Sequence, residues 1–366
     1  MDRKPRPSAV ATPARLLVAI MVDIVETFFR EIVAGVSQYG REVGDWQLQV
    51  VRHPADWAAA GREWHGLIAC LNDERVAAVV ESAGVPTVAV GSVGIDSPQL
   101  GIVQVDTDNQ RLAAMAFEHL RERGLATFGY YGALPTAGTR WSVIRGDRFG
   151  AIAAAAGHVC DRLTGCDADV ESPAARQELA DWLTRLPRPV GIMACSDLHG
   201  RVVLEACRAS GLRVPYDVAV VGVDNDELEC ELAVPPLTSI PQAARRIGHE
   251  AARLLDHLIS PERFAGQAAA VAVPRVTLIP PASIIPRAST ETFAVADPVI
   301  ARLIEAVREQ ACHGLTIADL VAISGLPRWK LEKQFKQAVG HSIHDDIVRV
   351  RLSEARRLIR TTDLPL

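Results

Sequence analysis

Several carboxylates stand directly after short apolar runs, where they could contact a ligand or cap the helix that follows. Asp23 comes after LLVAIMV, Asp224 comes after VAVVGV, and Asp108 opens an amphipathic stretch. Ser196 and Asp197 follow GIMAC in the same way. Carboxylate and hydroxyl oxygens can accept hydrogen bonds from ligand groups, and they also accept from the free amides of a helix N-terminus. The sequence leaves both roles open for these residues.

A second group of notable residues lies near the C-terminal end, in a helix predicted from Pro327 to Val339. At about 100° per residue, one side of this helix is apolar, formed by Leu331, Phe335 and Ala338. The opposite side carries an indole and cations, namely Trp329, Lys333 and Lys336. A basic face alone is common on solvated helices, but a tryptophan exposed among lysines is not, which favours an interaction surface for a polyanion.

The elements that must position the carboxylates are parallel strands. Between Leu16 and about Thr277, eight short runs rich in Val and Ile alternate with amphipathic stretches. This alternation predicts parallel sheets covered by helices, and about eight to ten strand units favour two lobes over one sheet. Ligands in such sheets bind just past the carboxyl ends of the strands. We therefore expect the carboxylates named above to lie at the carboxyl ends of the strands, where a ligand would bind.

The second group belongs to a separate helical region that follows a proline-rich segment. We predict a disordered segment at 1–14, a two-lobed effector domain at 15–280, a linker at 281–297 and a DNA-binding domain at 298–366. Within the last, Thr316–Ser324 and Pro327–Val339 form two short helices around a turn with Gly325. Two helices joined in this way, the second with a basic outer face, are typical of a helix-turn-helix unit.

Composition limits the function classes further. The net charge is −5, yet residues 297–366 contain 11 Lys and Arg against 9 Asp and Glu, a net charge of +2, which leaves −7 for the residues before them. The seven cysteines include no CxxC pair, so we expect free thiols in a reducing cytoplasm, and no metal. No GxSxG, Walker, HExxH or GxGxxG pattern is present, which argues against an enzyme and against a cofactor.

The C-terminal segment LTIADLVAISGLPRWKLEKQFKQAVGHSIHDDIVRVRLSEARRLIRTTDLPL resembles the first half of an AraC/XylS-type DNA-binding domain. The resemblance implies base-facing roles for Trp329, Glu332 and Lys333. It implies phosphate contacts for Arg328, Lys330 and Lys336. Pro327 departs from the family pattern, which usually has a capping side chain there, but proline is compatible with a helix start. The family has a second helix-turn-helix unit after its long linker helix, so we expect a fragment rather than a reduced domain.

The preceding part resembles the LacI-type effector domain, which is similar to periplasmic sugar-binding proteins. The resemblance is carried by VDTDNQRLAAMAFEHLRERG, TAGTRW, RPVGIMACSD, VAVVGVDNDEL and LTSIPQAARRIGHEAARLL. It implies that Asp224, Arg145 and Ser196 contact a sugar, since Arg145 precedes Phe149 by four residues as in the family. Asp197, Asp108 and Asp23 remain candidates for ligand contact or for capping. Trp141 could form a wall of the pocket or fill the core of a lobe.

Together the two resemblances imply a dimeric transcription regulator of the α/β two-lobed, periplasmic-binding-protein-like type with an all-α helix-turn-helix domain. The expected partners are double-stranded DNA, a small sugar such as D-xylose, a second copy of the chain, and RNA polymerase, since the resemblance favours activation. A regulator that responds to another pentose or sugar derivative is an alternative. A sugar-binding protein without a regulatory role is another.

Overall fold

The computed structural model describes residues 15–59, 61, 63–71, 73–91, 101–165, 169–264, 273–291, 298–339 and 341–361. The segment 1–14, predicted to be disordered, lies outside this part of the chain. No helix among the described residues is both long and apolar enough to cross a bilayer.

Eleven strands and thirteen α-helices are defined in the described part of the chain. The strands are β1 (Leu16–Met21), β2 (Trp46–Val50), β3 (Gly66–Ala69), β4 (Thr87–Val90), β5 (Val103–Thr107), β6 (Thr127–Gly132), β7 (Cys160–Thr164), β8 (Val190–Ala194), β9 (Val218–Val223), β10 (Thr238–Ile240) and β11 (Val276–Ile279). The helices are α1 (Thr27–Val43), α2 (Ala55–Ala59), α3 (Glu74–Ala83), α4 (Asn109–Glu122), α5 (Arg140–Ala155), α6 (Pro173–Arg185), α7 (Asp197–Ala209), α8 (Glu227–Leu232), α9 (Ala244–Ile259), α10 (Pro298–Gln310), α11 (Ile317–Ser324), α12 (Arg328–Val339) and α13 (Ile343–Thr361).

The strands form two parallel sheets, which confirms the predicted two-lobed α/β fold. The first sheet has the order β11-β5-β4-β3-β1-β2, and the second has the order β10-β9-β8-β6-β7. Strands β1, β3, β8 and β9 are buried along most of their length because helices cover both faces of each sheet. Each lobe therefore has its own apolar core on either side of its sheet.

The chain passes between the lobes three times. The first passage leads from β5 in the first sheet to α4, which packs on α5 in the second lobe. The second leads from β10 back to α9, which packs on α1. The third leads from β11 to Ile285, which pairs with Ser239 of β10. Three adjacent passages form a hinge, and residues placed at them can respond to the relative position of the lobes.

Two strands were not predicted from the sequence. Strand β7, with the sequence CDRLT, is an edge strand that is half exposed and mostly polar, so it lacks the apolar run that marked the others. Strand β10 contains only the three residues TSI. Both are specified by their pairing to β6 and β9 rather than by a pattern of their own.

The first part of the predicted linker 281–297 is docked on the second lobe rather than free. Ile285 and Ser239 exchange backbone hydrogen bonds of 2.8 and 3.2 Å, and Ser289 and Thr290 are fully buried. We call residues 284–291 the strap. The high proline content of this segment suggested a tether, but its hydrogen bonds come mainly from side chains, which the proline count does not reveal.

The C-terminal helices pack around one apolar core, as predicted. Thr316 and Asp319 form a capping box at the start of α11, and Gly325 ends that helix with a left-handed φ of 66°. Leu331 and Phe335 on α12 are completely buried in this core. Tyr216 of the second lobe packs against the same core. On α13, Ile343 and Ile347 face the core, while Val348 and Leu352 are exposed.

The close contact between α1 and α9 depends on two glycines. A Cβ at Gly35 would lie 2.0 Å from the backbone oxygen of Arg245, and one at Gly248 would lie 2.0 Å from that of Ile32. We expect Gly35→Ala to destabilise the protein by about 3 kcal/mol, because the helices must separate to relieve the overlap. Calorimetric unfolding measures this loss. As a control, Gly150→Ala in α5 should be neutral or stabilising, since its Cβ would meet only Arg162 Cδ at 3.8 Å. A neutral Gly35→Ala would contradict the packing.

Candidate ligand site and nucleic-acid interface

The candidate ligand site is centred on a buried arginine of the second lobe. Arg145 lies one helical turn before Phe149 on α5, and its side chain is only 2% exposed. Its Nε donates to Asn109 Oδ1 at 3.0 Å, one Nη to the carbonyl of Cys195, and the other Nη to Gln242 Oε1 at 3.0 Å. Three of the five guanidinium N–H groups thus donate to protein acceptors, and the other two have no acceptor among the described residues.

Gln242 connects this arginine to the hinge and to the end of β9. Its Oε1 accepts from Arg145 and from the Thr107 hydroxyl at 2.7 Å, while its Nε2 donates to the Asp224 carboxylate. Thr107 belongs to the first passage between the lobes and Gln242 to the second. We call Arg145, Gln242, Thr107, Asn109 and Asp224 the hinge network. It joins two of the three passages to two predicted ligand residues.

Asp224 occupies a backbone conformation that L-residues rarely adopt. Its φ is 107°, and Asn225 beside it has a φ of 54°. Burial raises the pKa of Asp224 above its usual value, against the opposing effects of Arg145 and of the hydrogen bond from Gln242. Two consecutive non-glycine residues in this region carry conformational strain, which is common where a loop is shaped for a ligand.

The first lobe presents two further carboxylates. Asp23 Oδ1 accepts from the amide of Val25 at 2.9 Å and is exposed. Glu26 precedes α1 without capping it. Part of the Glu26 side chain is exposed, but protein atoms surround its carboxylate. The resulting desolvation, followed by repulsion from the carboxylates of Asp224 and Asp23, raises the pKa of Glu26 to about 7. Across the gap, the Thr27 hydroxyl donates to Asp226 of the second lobe.

A cavity of about 600 Å³ opens between the lobes at this level. Its wall contains Thr27 and Phe28 from α1, Asp224 and Leu228 from the second lobe, and Gln242 from the hinge. Arg145 is not on this wall but reaches it through Gln242. A volume of this size accommodates a monosaccharide with its first hydration layer.

The other predicted ligand residues take different positions. Trp141 packs against the core of the second lobe, and the Arg145 guanidinium lies 5.0 Å from its ring centre, so it belongs to both core and site. Asp108 caps α4 by accepting from the Arg111 amide at 2.9 Å. Ser196 caps α7 by accepting from the His199 amide at 3.4 Å.

Asp197 differs most from its predicted roles. It was a candidate for ligand contact or for the cap of α7, but Ser196 is the cap and Asp197 is the first helical residue. Its carboxylate accepts from the Ser239 hydroxyl at 2.5 Å and from the Asp226 amide at 2.7 Å, and the residue is 1% exposed. These bonds fix the loop that carries Asp224, so Asp197 positions this loop and does not face the cavity.

Sequence reasoning missed Gln242, Asn109 and Thr107. The criterion of a polar residue at the end of a strand applies to all three, because Gln242 follows β10, Asn109 follows β5 and Thr107 is the last residue of β5. Gln242 was missed because β10 was not predicted, and at the end of β5 only Asp108 was a predicted candidate.

The candidate nucleic-acid interface is the outer face of α12. Trp329 is 68% exposed, and the charged residues of that face are exposed as well: Arg328, Lys330, Glu332, Lys333 and Lys336. Backbone bonds from Lys330 and Leu331 to the carbonyl of Pro327 start the helix, so the proline is accommodated there. Arg328 and Glu332 form a surface ion pair at 2.9 Å. The tryptophan is not required by the core, which leaves it available to a partner.

Comparison with known proteins shows the family. Residues 117–290 match the model of a periplasmic binding protein-like domain. The chain is 30% identical to the xylose operon regulatory protein of Escherichia coli (strain K12) over 354 residues, covering 95% of this chain and 88% of that protein. The chain belongs to the family of the xylose operon regulatory proteins.

Further similarities agree with this assignment. The Haemophilus influenzae protein of the same name is 28% identical over 95% of this chain and 89% of its own length. A solved structure of the xylose-binding transcription activator XylR superposes with a TM-score of 0.76 at 30% identity, covering 96% of this chain and 90% of that one. The protein is a sugar-responsive transcription regulator of the xylose-operon type, which confirms the function predicted from the sequence.

The raised pKa of Glu26 predicts a pH-dependent contribution to stability. The folded value of about 7 exceeds the ordinary value of 4.5, so folding favours the protonated form, and this contribution is lost as the pH rises towards and through 7. We expect Glu26→Gln to raise the melting temperature at pH 8 and to raise it much less at pH 5.

The matched control is Glu42→Gln in the last turn of α1, the helix that Glu26 precedes. Hydrogen bonds from His249 and Gln38 lower the pKa of Glu42, so this substitution should bring no gain at pH 8. An equal gain from Glu26→Gln at both pH values would contradict the proposed electrostatic origin.

Proposed function

We propose that the chain binds D-xylose between its lobes and uses α12 to bind operator DNA as a cytoplasmic homodimer that activates transcription, in contact with RNA polymerase. The single observation that supports the sugar site best is the hinge network. It places a buried guanidinium and a carboxylate where two passages between the lobes meet. A ligand held there touches the part of the fold on which lobe closure depends.

The chemistry of the network suits a neutral polyol. Each sugar hydroxyl both donates and accepts, so it can donate to the Asp224 carboxylate and accept from the two remaining N–H groups of Arg145. The Trp141 ring beside Arg145 provides an apolar surface for the C–H face of a pyranose. The relatives named as xylose operon regulators make D-xylose the first candidate.

Lobe closure supplies the regulatory step. A sugar shifts the open–closed equilibrium only to the extent that it binds the closed form more tightly. The Thr27–Asp226 hydrogen bond joins the lobes at the cavity and would form part of this difference. The binding energy of the sugar then favours one arrangement of the two DNA-binding domains in the dimer.

For DNA binding we propose that Trp329, Glu332 and Lys333 face base edges and that Arg328, Lys330 and Lys336 contact phosphates. The support is that all six side chains lie on the exposed face of α12, while Leu331 and Phe335 hold the opposite face in the core. A helix anchored in this way can enter the major groove without loss of its own packing.

A second candidate ligand is a sugar derivative other than xylose. It is favoured by Asp23 and Glu26, which bring two more carboxylates to the side of the cleft opposite Asp224. These acceptors would suit an additional donor group on the ligand.

The decisive experiment is operator retardation with the intact protein and a panel of pentoses. We expect D-xylose to change the affinity for an operator-like fragment, and we expect increasing salt to weaken it, since phosphate contacts release counterions. DNA binding that ignores both sugar and salt would refute the proposal. A response to another pentose alone would favour the second candidate.

Asp224→Asn should weaken sugar binding by about 1.5–3 kcal/mol, because a charged acceptor of hydroxyl groups is replaced by a neutral amide. Asparagine tolerates a positive φ, so the backbone can stay in place. Calorimetric sugar titration measures the loss, while operator affinity without sugar should be retained. Asp73→Asn, at the cap of α3 in the first lobe, is the control and should leave the titration unchanged. Unaltered sugar affinity for Asp224→Asn would remove Asp224 from the site.

Lys333→Ala should cost about 1–3 kcal/mol of affinity for the specific operator but much less on random DNA, since a base contact is lost. Lys330→Ala is the comparison, because a phosphate contact contributes nearly equally on both DNAs and its removal reduces the salt dependence by about one counterion. Fluorescence anisotropy on both DNAs separates the two patterns. Equal losses for Lys333→Ala on the two DNAs would make it a phosphate contact.

A further inference from the structure

The strap precedes the DNA-binding helices in the chain, and several of its residues are hydrogen-bonded to the second lobe. Thr238 Oγ1 bonds both to the Thr290 hydroxyl at 2.8 Å and to the carbonyl of Arg287 at 2.9 Å. The Ser289 hydroxyl donates to the carbonyl of Val220 on β9 at 2.7 Å. A shift of the strap therefore moves the last described residues before α10, which begins at Pro298.

One side chain of the strap reaches the loop that carries the candidate sugar contact. Arg287 Nη2 donates to Asn225 Oδ1 at 2.9 Å, and Nη1 donates to the carbonyl of Leu237 at 2.9 Å. Asn225 follows Asp224 directly in the chain. The guanidinium therefore lies between the strap, the approach to β10 and the ligand loop.

The loop is suited to respond to a ligand because its backbone is strained. Asp224 and Asn225 have consecutive positive φ values of 107° and 54°, held by the Asn225 amide, which donates to Ser239 Oγ at 2.9 Å. A sugar that hydrogen-bonds to the Asp224 carboxylate changes the relative stability of the conformations of this loop. The Asn225 side chain transmits such a change only to what it touches, which includes Arg287.

We infer that the Arg287–Asn225 hydrogen bond is the coupling contact between the sugar site and the DNA-binding domain. The inference rests on the proposed function, since it assigns the route by which that sugar acts on that DNA-binding helix. Arg287 is a positioning residue: it contacts neither sugar nor DNA but fixes the strap relative to the Asp224–Asn225 loop. Arg287 therefore contributes to the effect of sugar binding on DNA affinity, and not to the sugar affinity or the DNA affinity alone.

The strap offers a matched control for this role. Arg123 also holds the strap through a guanidinium, since its Nε donates to the carbonyl of Thr290 at 2.6 Å. Its other side-chain bond goes to the carbonyl of His119 on α4 at 2.9 Å, away from the Asp224 loop. Arg287→Gln and Arg123→Gln thus remove similar strap anchors, and only the first removes the link to Asn225.

The test measures operator affinity with and without D-xylose for the intact wild-type protein and for both variants. We expect Arg287→Gln to keep its sugar affinity and its sugar-free operator affinity within about twofold of wild type. The ratio of its operator affinities with and without sugar should fall at least about fivefold, towards one. Arg123→Gln should keep the wild-type ratio.

A second variant tests the contact from its other end. Asn225→Gly keeps the positive φ available and deletes the Oδ1 acceptor. It should lose the sugar response to a similar extent, and combining it with Arg287→Gln should bring no further loss. This variant also carries the test if Arg287→Gln fails to fold in a thermal melt.

Several results would overturn the inference while leaving the proposed function intact. They are a wild-type ratio in Arg287→Gln, an equal loss in Arg123→Gln, additive losses in the double variant, or a loss of sugar affinity in Arg287→Gln of more than about tenfold. A wild-type protein whose operator affinity does not respond to sugar would instead refute the proposed function itself.

Discussion

The whole arrangement depends on one buried cation and the groups that satisfy it. Arg145 is removed from water, so its guanidinium must be met by acceptors that stay in place. Gln242 provides one such acceptor and at the same time donates to Asp224, which sets the carboxylate near the cation without a direct ion pair. Because Gln242 lies at a passage between the lobes, movement of the hinge and occupation of the site act on the same side-chain amide. That shared dependence is what a ligand-controlled switch requires.

Most of the fold was predictable from the sequence for physical reasons. Strands covered by helices on both faces must be apolar along their length, and β1, β8 and β9 consist mainly of such residues. Strand β7 was missed because an edge strand can be polar, and β10 because three residues form no pattern. The face of α12 was predicted because a helix with one buried side repeats every 3.6 residues, and Leu331 and Phe335 lie on that side.

The site was predictable only in part. Arg145 and Asp224 were inferred from a resemblance and the rule that ligands meet strand ends, and the hinge network joins them. Gln242 was missed because its role comes from a tertiary hydrogen bond and from an unpredicted strand. The roles open for Ser196, Asp197 and Asp108 could not be separated by sequence, since a cap and a ligand contact use the same oxygen atoms. The docking of the strap was hidden for a similar reason: Ser289 and Thr290 replace backbone pairing with hydroxyl bonds.

The measurement that tests the central claim most directly is a crystal structure of the intact protein with D-xylose bound. The account predicts the sugar between the lobes, with its hydroxyls within hydrogen-bond distance of the Asp224 carboxylate and of the Arg145 guanidinium, and with Gln242 still bridging the two. A sugar bound elsewhere, or one that leaves Arg145 and Asp224 bonded to protein groups alone, would contradict it.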